Sequence, residues 1–291
     1  MWILGALFVT QDMGESSMKL HFKCWDPKDP QAAKIVLLHG LGGTGALWHP
    51  ISTTLQEYFS VMAPDQRGHG LSRVPADDLS GFTPLDFGKD VIETLETLKF
   101  FPSWIVGHSM GVRSACAAAH LRPEWVRGLI LVDLGLAGPA GGGLNDRLAT
   151  FLGQLPDTFS SRLEARAFME AHAPDRAMAQ YLMAVSVTSP HGDVSFPFDR
   201  ASLIQTLQDA RSTDLHAWIR DLGARGMPIL FLRGGNSSVW SRQEFEQERR
   251  RYSDLPNLRF EEIAGAGHGL PFEKKKEFTE KLVKFTIELD V

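Results

Sequence analysis

Five residues, Gly107-His108-Ser109-Met110-Gly111, constrain this chain more than any other stretch. They follow a short apolar run, Trp104-Ile105-Val106, and lead into the small-residue segment Ser114-Ala115-Cys116-Ala117-Ala118-Ala119. The local order is strand, tight turn, helix, with a serine at the apex. Such a turn is strained, and glycines two positions to either side of the serine let strand and helix approach closely enough to form it. A serine hydroxyl is a weak nucleophile unless it is held exposed beside a base, which a turn of this kind does. The plainer reading is a serine that caps a helix N-terminus. A cap, however, needs neither the flanking glycines nor the preceding strand.

The surrounding pattern extends this unit. Met18 to Trp25, Lys34 to Leu38 and Ser60-Val61-Met62-Ala63 read as strands, and Leu85 to Lys99 has helical periodicity. Leu129 to Val132 and Pro228 to Leu232 are further strands. Continuous apolar runs separated by helices predict a parallel sheet buried on both faces, hence an α/β fold with a doubly wound, mostly parallel sheet. After Asp133 the pattern changes. Gly138-Pro139-Ala140-Gly141-Gly142-Gly143 opens a stretch with helical segments around Leu144 to Leu155, Phe159 to His172, Asp175 to Val187 and Ala201 to Leu222. So long an excursion between sheet strands is expected to be a helical cap over the C-terminal strand edge, where ligands bind in open α/β sheets. Helix Arg242 to Tyr252, strand Leu258 to Ile263 and helix Lys274 to Leu289 return to the core.

The expected division is an N-terminal extension (1–17), a core (18–134 and 227–291) and a helical cap (135–226). The extension begins with apolar Met1 to Val9, too short for a membrane span of about 20 residues, and it lacks a positive flank. An added edge strand is its first reading, and a start at Met13 or Met18 its second.

Composition excludes several classes of function. A formal net charge of −5 gives no reason to propose a nucleic acid partner. The runs Arg249-Arg250-Arg251 and Lys274-Lys275-Lys276 are interleaved with glutamates and read as solvated helix faces. Cys24 and Cys116 read as small buried hydrophobes, without a disulfide framework, which fits a reducing, cytoplasmic setting. No paired cysteine motif or ligand-spaced histidine cluster points to a metal. The glycine-rich loop His39-Gly40-Leu41-Gly42-Gly43 lacks the spacing and lysine of a phosphate loop. The expected partner is a small molecule, and no cofactor is expected.

Nucleophilic chemistry also needs a base, an acid to orient it, and donors for an oxyanion. His268 is the candidate base. It sits in Ala264-Gly265-Ala266-Gly267-His268-Gly269, directly after the last strand, in a loop that can project an imidazole toward the strand ends. His172, His191 and His216 fall in the expected cap, and His39 and His108 flank glycines and read as organisers of loops. Oxyanion donors are best taken from the backbone, and the N–H groups of Met110 and Leu41 are the candidates. The acid is irregular. A carboxylate is expected after strand Pro228 to Leu232, but the loop reads Arg233-Gly234-Gly235-Asn236-Ser237-Ser238-Val239-Trp240. Asparagine can orient a histidine without stabilising an imidazolium by charge. Asp133 emerges at the end of strand Leu129 to Val132 on the same sheet edge. Its other reading is a cap at the entrance of the insertion, and Asp199 and Asp214 lie inside that insertion. Asp65-Gln66-Arg67-Gly68-His69-Gly70-Leu71-Ser72 reads as a structural prop for the serine turn and the glycine loop.

Taken together, His39 to Gly43, Asp65 to Gly70, Gly107 to Gly111 and Gly267-His268 resemble the α/β-hydrolase superfamily in order and spacing, from about Met18 onward, and in particular its serine esterase-like members with a helical cap. The resemblance implies Ser109 as nucleophile, His268 as base, and Leu41 and Met110 as oxyanion donors. Asn236, Ser237 and Ser238 stand at the family's usual acid position. Some esterase-like members with a similar Gly-Gly-Asn-Ser segment take the acid from the end of the preceding core strand, which here is Asp133. A serine nucleophile argues against the haloalkane dehalogenase and epoxide hydrolase branches. The activity implied is cleavage of a small or medium carboxylic ester or thioester. Apolar cap residues such as Phe151, Phe159, Phe168, Met169, Met178, Tyr181, Met183 and Trp218 would line an acyl site or form the cap's own core. Three alternatives are open: C–C bond hydrolysis of a β-diketone-like substrate with Arg113 as its cation, acyl transfer, and non-catalytic ligand binding.

Overall fold

The computed structural model describes residues 18–75, 78–137 and 143–289. The expected extension, 1–17, and residues 138–142 of the glycine run lie outside them. A seven-stranded sheet runs β1 (Phe22–Trp25), β3 (Phe59–Pro64), β2 (Ala33–Leu38), β4 (Ser103–His108), β5 (Val126–Val132), β9 (Ile229–Gly234) and β10 (Leu258–Ile263). Only β1 is antiparallel to its neighbour, pairing Phe22 with Pro64. The expected strand from Met18 therefore begins four residues later. The chain winds from β2 outward to β3, then back across β2 to β4, so the topological switch lies between β2 and β4. In open α/β sheets that is where a crevice forms beyond the strand ends.

The central strands are buried on both faces, which the runs Ile35-Val36-Leu37-Leu38 and Leu129-Ile130-Leu131-Val132 anticipate. One face carries α2 (Pro84–Leu98) and α3 (Met110–Leu121), and the other α1 (His49–Leu55) and α11 (Lys275–Ile287). Thr83 and Asp86 form a capping box at the start of α2, with Pro84 in its first turn. A Cβ on Gly88 of α2 would lie 2.5 Å from the Ala117 Cβ, so glycine and alanine let α2 and α3 touch.

Between β5 and β9 lie α4 (Gly143–Gln154), α5 (Arg162–His172), α6 (Arg176–Val185), α7 (Arg200–Asp209) and α8 (Leu215–Ala224). They are accompanied by a small antiparallel sheet of β6 (Thr158–Phe159), β8 (Val194–Ser195) and β7 (Val187–Thr188). The expected single helix over Ala201 to Leu222 is broken because Asp214 caps a new helix, accepting from the His216 and Ala217 N–H groups. Phe151, Phe159, Met169 and Met183 form a core of the insertion's own, against which Leu41 and Leu47 of the β2 loop pack. In contrast, Leu215, Ile219 and Leu222 of α8 are buried with the main sheet, so the expected boundary at 226 includes one helix that packs with the core. The chain closes with α9 (Arg242–Arg251), the short α10 (Leu270–Glu273) and α11. No described helix is long and apolar enough to cross a membrane.

Candidate active site

Ser109 stands between β4 and α3 with φ 55° and ψ −121°, a conformation that non-glycine residues adopt only under constraint. The constraint is steric and visible. A Cβ on Gly107 would lie 2.2 Å from the Gly111 carbonyl oxygen, and one on Gly111 would lie 2.5 Å from the Leu38 carbonyl oxygen. The Ser109 N–H donates to the Val132 carbonyl at 2.9 Å, tying the turn to the neighbouring strand.

The side chains expected to act together do meet. Ser109 Oγ lies 3.0 Å from His268 Nε2, and His268 Nδ1 lies 2.7 Å from Asp133 Oδ2. Asp133 is fully buried, with φ 54°. Its Oδ1 accepts from the Gly234 N–H at 2.8 Å, and its Oδ2 accepts from the Ser237 hydroxyl at 2.5 Å as well as from His268. A carboxylate with three donors is an acceptor only, so the imidazole carries its proton on Nδ1 and presents the Nε2 lone pair to the serine hydroxyl. Asp199 and Asp214 instead cap α7 and α8.

The turn carrying His268 is held from two sides. Glu273 accepts from the Gly267 and Gly269 N–H groups at 2.6 and 3.1 Å, and His108 Nε2–H donates to the His268 carbonyl at 2.8 Å. Burial pushes His108 down to about 4, so it is neutral at physiological pH. A Cβ on Gly234 would sit 2.2 Å from the Gly267 carbonyl oxygen, which accounts for a glycine at the end of β9.

The glycine loop after β2 lies against the nucleophile: a Cβ on Gly40 would be 3.0 Å from Ser109 Cβ. The N–H groups of Leu41 and Met110 donate to no described residue. Met110 is the first residue of α3, so its N–H has no intrahelical acceptor and adds the positive end of the helix dipole. Two neutral histidines hold this loop. His39 Nδ1–H donates to the Gly40 carbonyl at 2.8 Å while its Nε2 accepts from the Gln66 N–H at 2.9 Å. His69 donates to the Arg67 carbonyl at 2.8 Å and accepts from the Gly42 N–H at 3.0 Å. Each ring therefore has one donor and one acceptor role, and burial lowers them to about 4 and about 3. The stretch from Asp65 props the site as its glycines and charges suggest. Asp65 accepts from the Gly45 N–H at 2.7 Å, Arg67 pairs with buried Asp90 at 2.7 Å, and Gln66 links the His39 carbonyl (2.7 Å) to the Ser114 hydroxyl (2.6 Å).

Arg113 is buried and donates to the Ala210 carbonyl, just beyond α7, at 2.7 Å. Trp218, one of the apolar residues expected in the cap, stacks on His120 of α3 with ring centroids 4.4 Å apart. Sequence reasoning gave no role to Ser237 or Glu273. The hydroxyl at the expected acid position was the one signal for Ser237, and a glutamate close after Gly267-His268-Gly269 the one signal for Glu273.

The fold has counterparts. A family model described as alpha/beta hydrolase fold matches residues 34–275. The chain is 28% identical over 238 residues to 2-(acetamidomethylene)succinate hydrolase of Mesorhizobium japonicum, covering 80% of this chain and 81% of that protein. It is 26% identical over 240 residues to the esterase YbfF of Escherichia coli, covering 82% of this chain and 87% of that protein. Among solved structures, a marine microorganism esterase superposes with a TM-score of 0.74 at 22% identity, over 92% of this chain and all of that one (100%). With its sheet order, its strained serine turn and a family match over most of its length, the chain belongs to the α/β-hydrolase family.

Proposed function

We propose that this protein is a serine hydrolase that cleaves a small or medium carboxylic ester or thioester through an acyl-enzyme on Ser109. One observation carries the reading: the line Ser109–His268–Asp133, at 3.0 and 2.7 Å, stands beside two backbone N–H groups with no acceptor among the described residues. Ser109 Oγ attacks the substrate carbonyl carbon as its proton passes to His268 Nε2. The buried charge of Asp133 stabilises the imidazolium, and the Leu41 and Met110 N–H groups receive the oxyanion. Collapse of the tetrahedral intermediate breaks the bond to the leaving alcohol or thiol, which takes the proton from His268. Water then gives its proton to His268 and attacks the acyl-enzyme, the acid leaves, and Ser109 recovers its proton. A hydrolase role is what family membership and both relatives support, and the esterase among them favours the ester.

The cation offered for C–C bond hydrolysis, Arg113, is buried and gives one guanidinium N–H to the Ala210 carbonyl. The test is turnover of p-nitrophenyl esters from acetyl to long acyl chains by wild type and Ser109→Ala. A rate that peaks at one chain length and vanishes in the variant is the expected result. A folded wild type inert to every ester and thioester sinks the reading.

A further inference from the structure

The loop between β9 and α9 carries no carboxylate, yet it and the last residue of β9 supply two of the three donors on Asp133, the Ser237 hydroxyl and the Gly234 N–H. A single side chain organises that loop. Arg233, next to last in β9, is buried to all but 4% of its side chain. Its Nε–H donates to the Trp240 carbonyl at 2.7 Å, one Nη to the Ser237 carbonyl at 3.1 Å, and the other to the Gly235 carbonyl at 3.2 Å. The latter nitrogen also meets Glu262 Oε2 at 2.5 Å, and Glu262 is the residue paired with Arg233 across the β9–β10 ladder. The loop is thus wrapped around a guanidinium whose planar fork meets three carbonyls in different directions, which a lysine ammonium on its flexible stem does not reproduce. A buried cation needs such partners, and Glu262 provides an ion pair.

We infer that Arg233 is a positioning residue: by fixing the backbone at Ser237 it sets the hydroxyl on Asp133, and so the aim of the carboxylate at His268. The inference rests on the serine hydrolase reading for its kinetic consequences, but not for its geometry. Arg233 touches no reacting atom and acts through Ser237.

The experiment compares Arg233→Lys, Ser237→Ala, their double variant and Glu262→Gln, all in the full chain. Arg233→Lys is expected to lower kcat at least about tenfold while KM stays within about threefold, the pattern of a lost transition-state interaction. Residues acting in one chain of contacts are non-additive. The double variant should therefore fall no further than Ser237→Ala alone. Effects that multiply, or a wild-type kcat in folded Arg233→Lys, overturn the inference. Glu262→Gln keeps an acceptor for the guanidinium and serves if Arg233→Lys does not fold; its loss of kcat should vanish in the Ser237→Ala background, and a loss that persists there counts against the inference. The low-field proton resonance of His268 Nδ1 reads the same coupling without turnover. It should shift in Arg233→Lys and in Ser237→Ala, and an unshifted resonance in folded Arg233→Lys overturns the inference even if no ester is ever hydrolysed. Activity surviving Ser109→Ala would instead count against the hydrolase reading and leave the resonance test standing.

Discussion

Replacing Asp133 by asparagine tests the site at its most enclosed point. The carboxylate is fully buried and receives three donors, the Gly234 N–H, the Ser237 hydroxyl and His268 Nδ1–H. Asparagine offers one acceptor oxygen and two new hydrogens in the same space. If its oxygen keeps the Gly234 N–H, its amide hydrogens face Ser237 and His268. The serine hydroxyl can rotate and accept, but the imidazole must give up its Nδ1 proton to do so. The proton then sits on Nε2, pointing at Ser109, and the base is lost. The reverse orientation leaves the Gly234 N–H facing another donor, at a cost of about 1–3 kcal/mol for a buried unsatisfied group. The inverted tautomer is therefore favoured, and inversion in a triad of this design lowers kcat about 10⁴-fold, roughly 5.4 kcal/mol of barrier. The assay is steady-state hydrolysis of the best p-nitrophenyl ester, with thermal melting to confirm folding. A folded Asp133→Asn within about tenfold of wild type would refute the argument. A lowered Tm with unchanged kcat would make Asp133 a cap of the insertion and nothing more.

Other outcomes follow from the same geometry. Ser237→Ala removes one of the donors on Asp133, and one hydrogen bond to a charged group is worth about 1.5–3 kcal/mol; kcat should fall roughly 10- to 100-fold, well short of Asp133→Asn. Gly40→Ala sets a methyl 3.0 Å from Ser109 Cβ, so kcat for the same ester should drop while circular dichroism and Tm change little; unchanged turnover would place the glycine loop away from the reaction. Burial lowers His39, His69 and His108 to about 4, 3 and 4, so the unfolded chain takes up protons first as pH falls below the ordinary value of 6.5. Their contribution is fully present above 6.5 and is lost progressively toward pH 4. Glu248 and Asp90, raised by burial to about 7 and about 6, take up protons when folded and offset part of the loss. Stability should still fall, by about 1 kcal/mol per pH unit between 6 and 5, and urea unfolding at the two values checks the slope.

What the sequence reveals and what it conceals divide along physical lines. Ser109 and His268 stand out because their geometry demands glycines at fixed offsets, and glycines are visible in a string of letters. Asp133 is reachable by position alone, as the first carboxylate after the strand beside β4. Ser237 acts on a residue 104 positions away, a contact that no local pattern encodes. The same holds for Arg233, whose fork gathers carbonyls rather than side chains. Two-residue strands such as β6, β7 and β8 are too short to show alternation. Helix α1 escapes because His49-Pro50-Ile51-Ser52-Thr53-Thr54-Leu55 is rich in β-branched and hydroxyl side chains; only Pro50 in its first turn marks it.

At Gly107, Gly111 and Gly234, neighbouring main chains approach so closely that no side-chain layer fits between them. A machine assembled by direct backbone contact has almost no slack, so substitution there offers a lineage little room to explore. Room for substitution lies further out, in the helices and small sheet between β5 and β9 whose own core rests on the β2 loop through Leu41 and Leu47. On the proposed reading, the reaction would belong to the inner stratum and substrate choice to the outer, so the outer one could be rewritten for a new substrate while the inner one stays as it is.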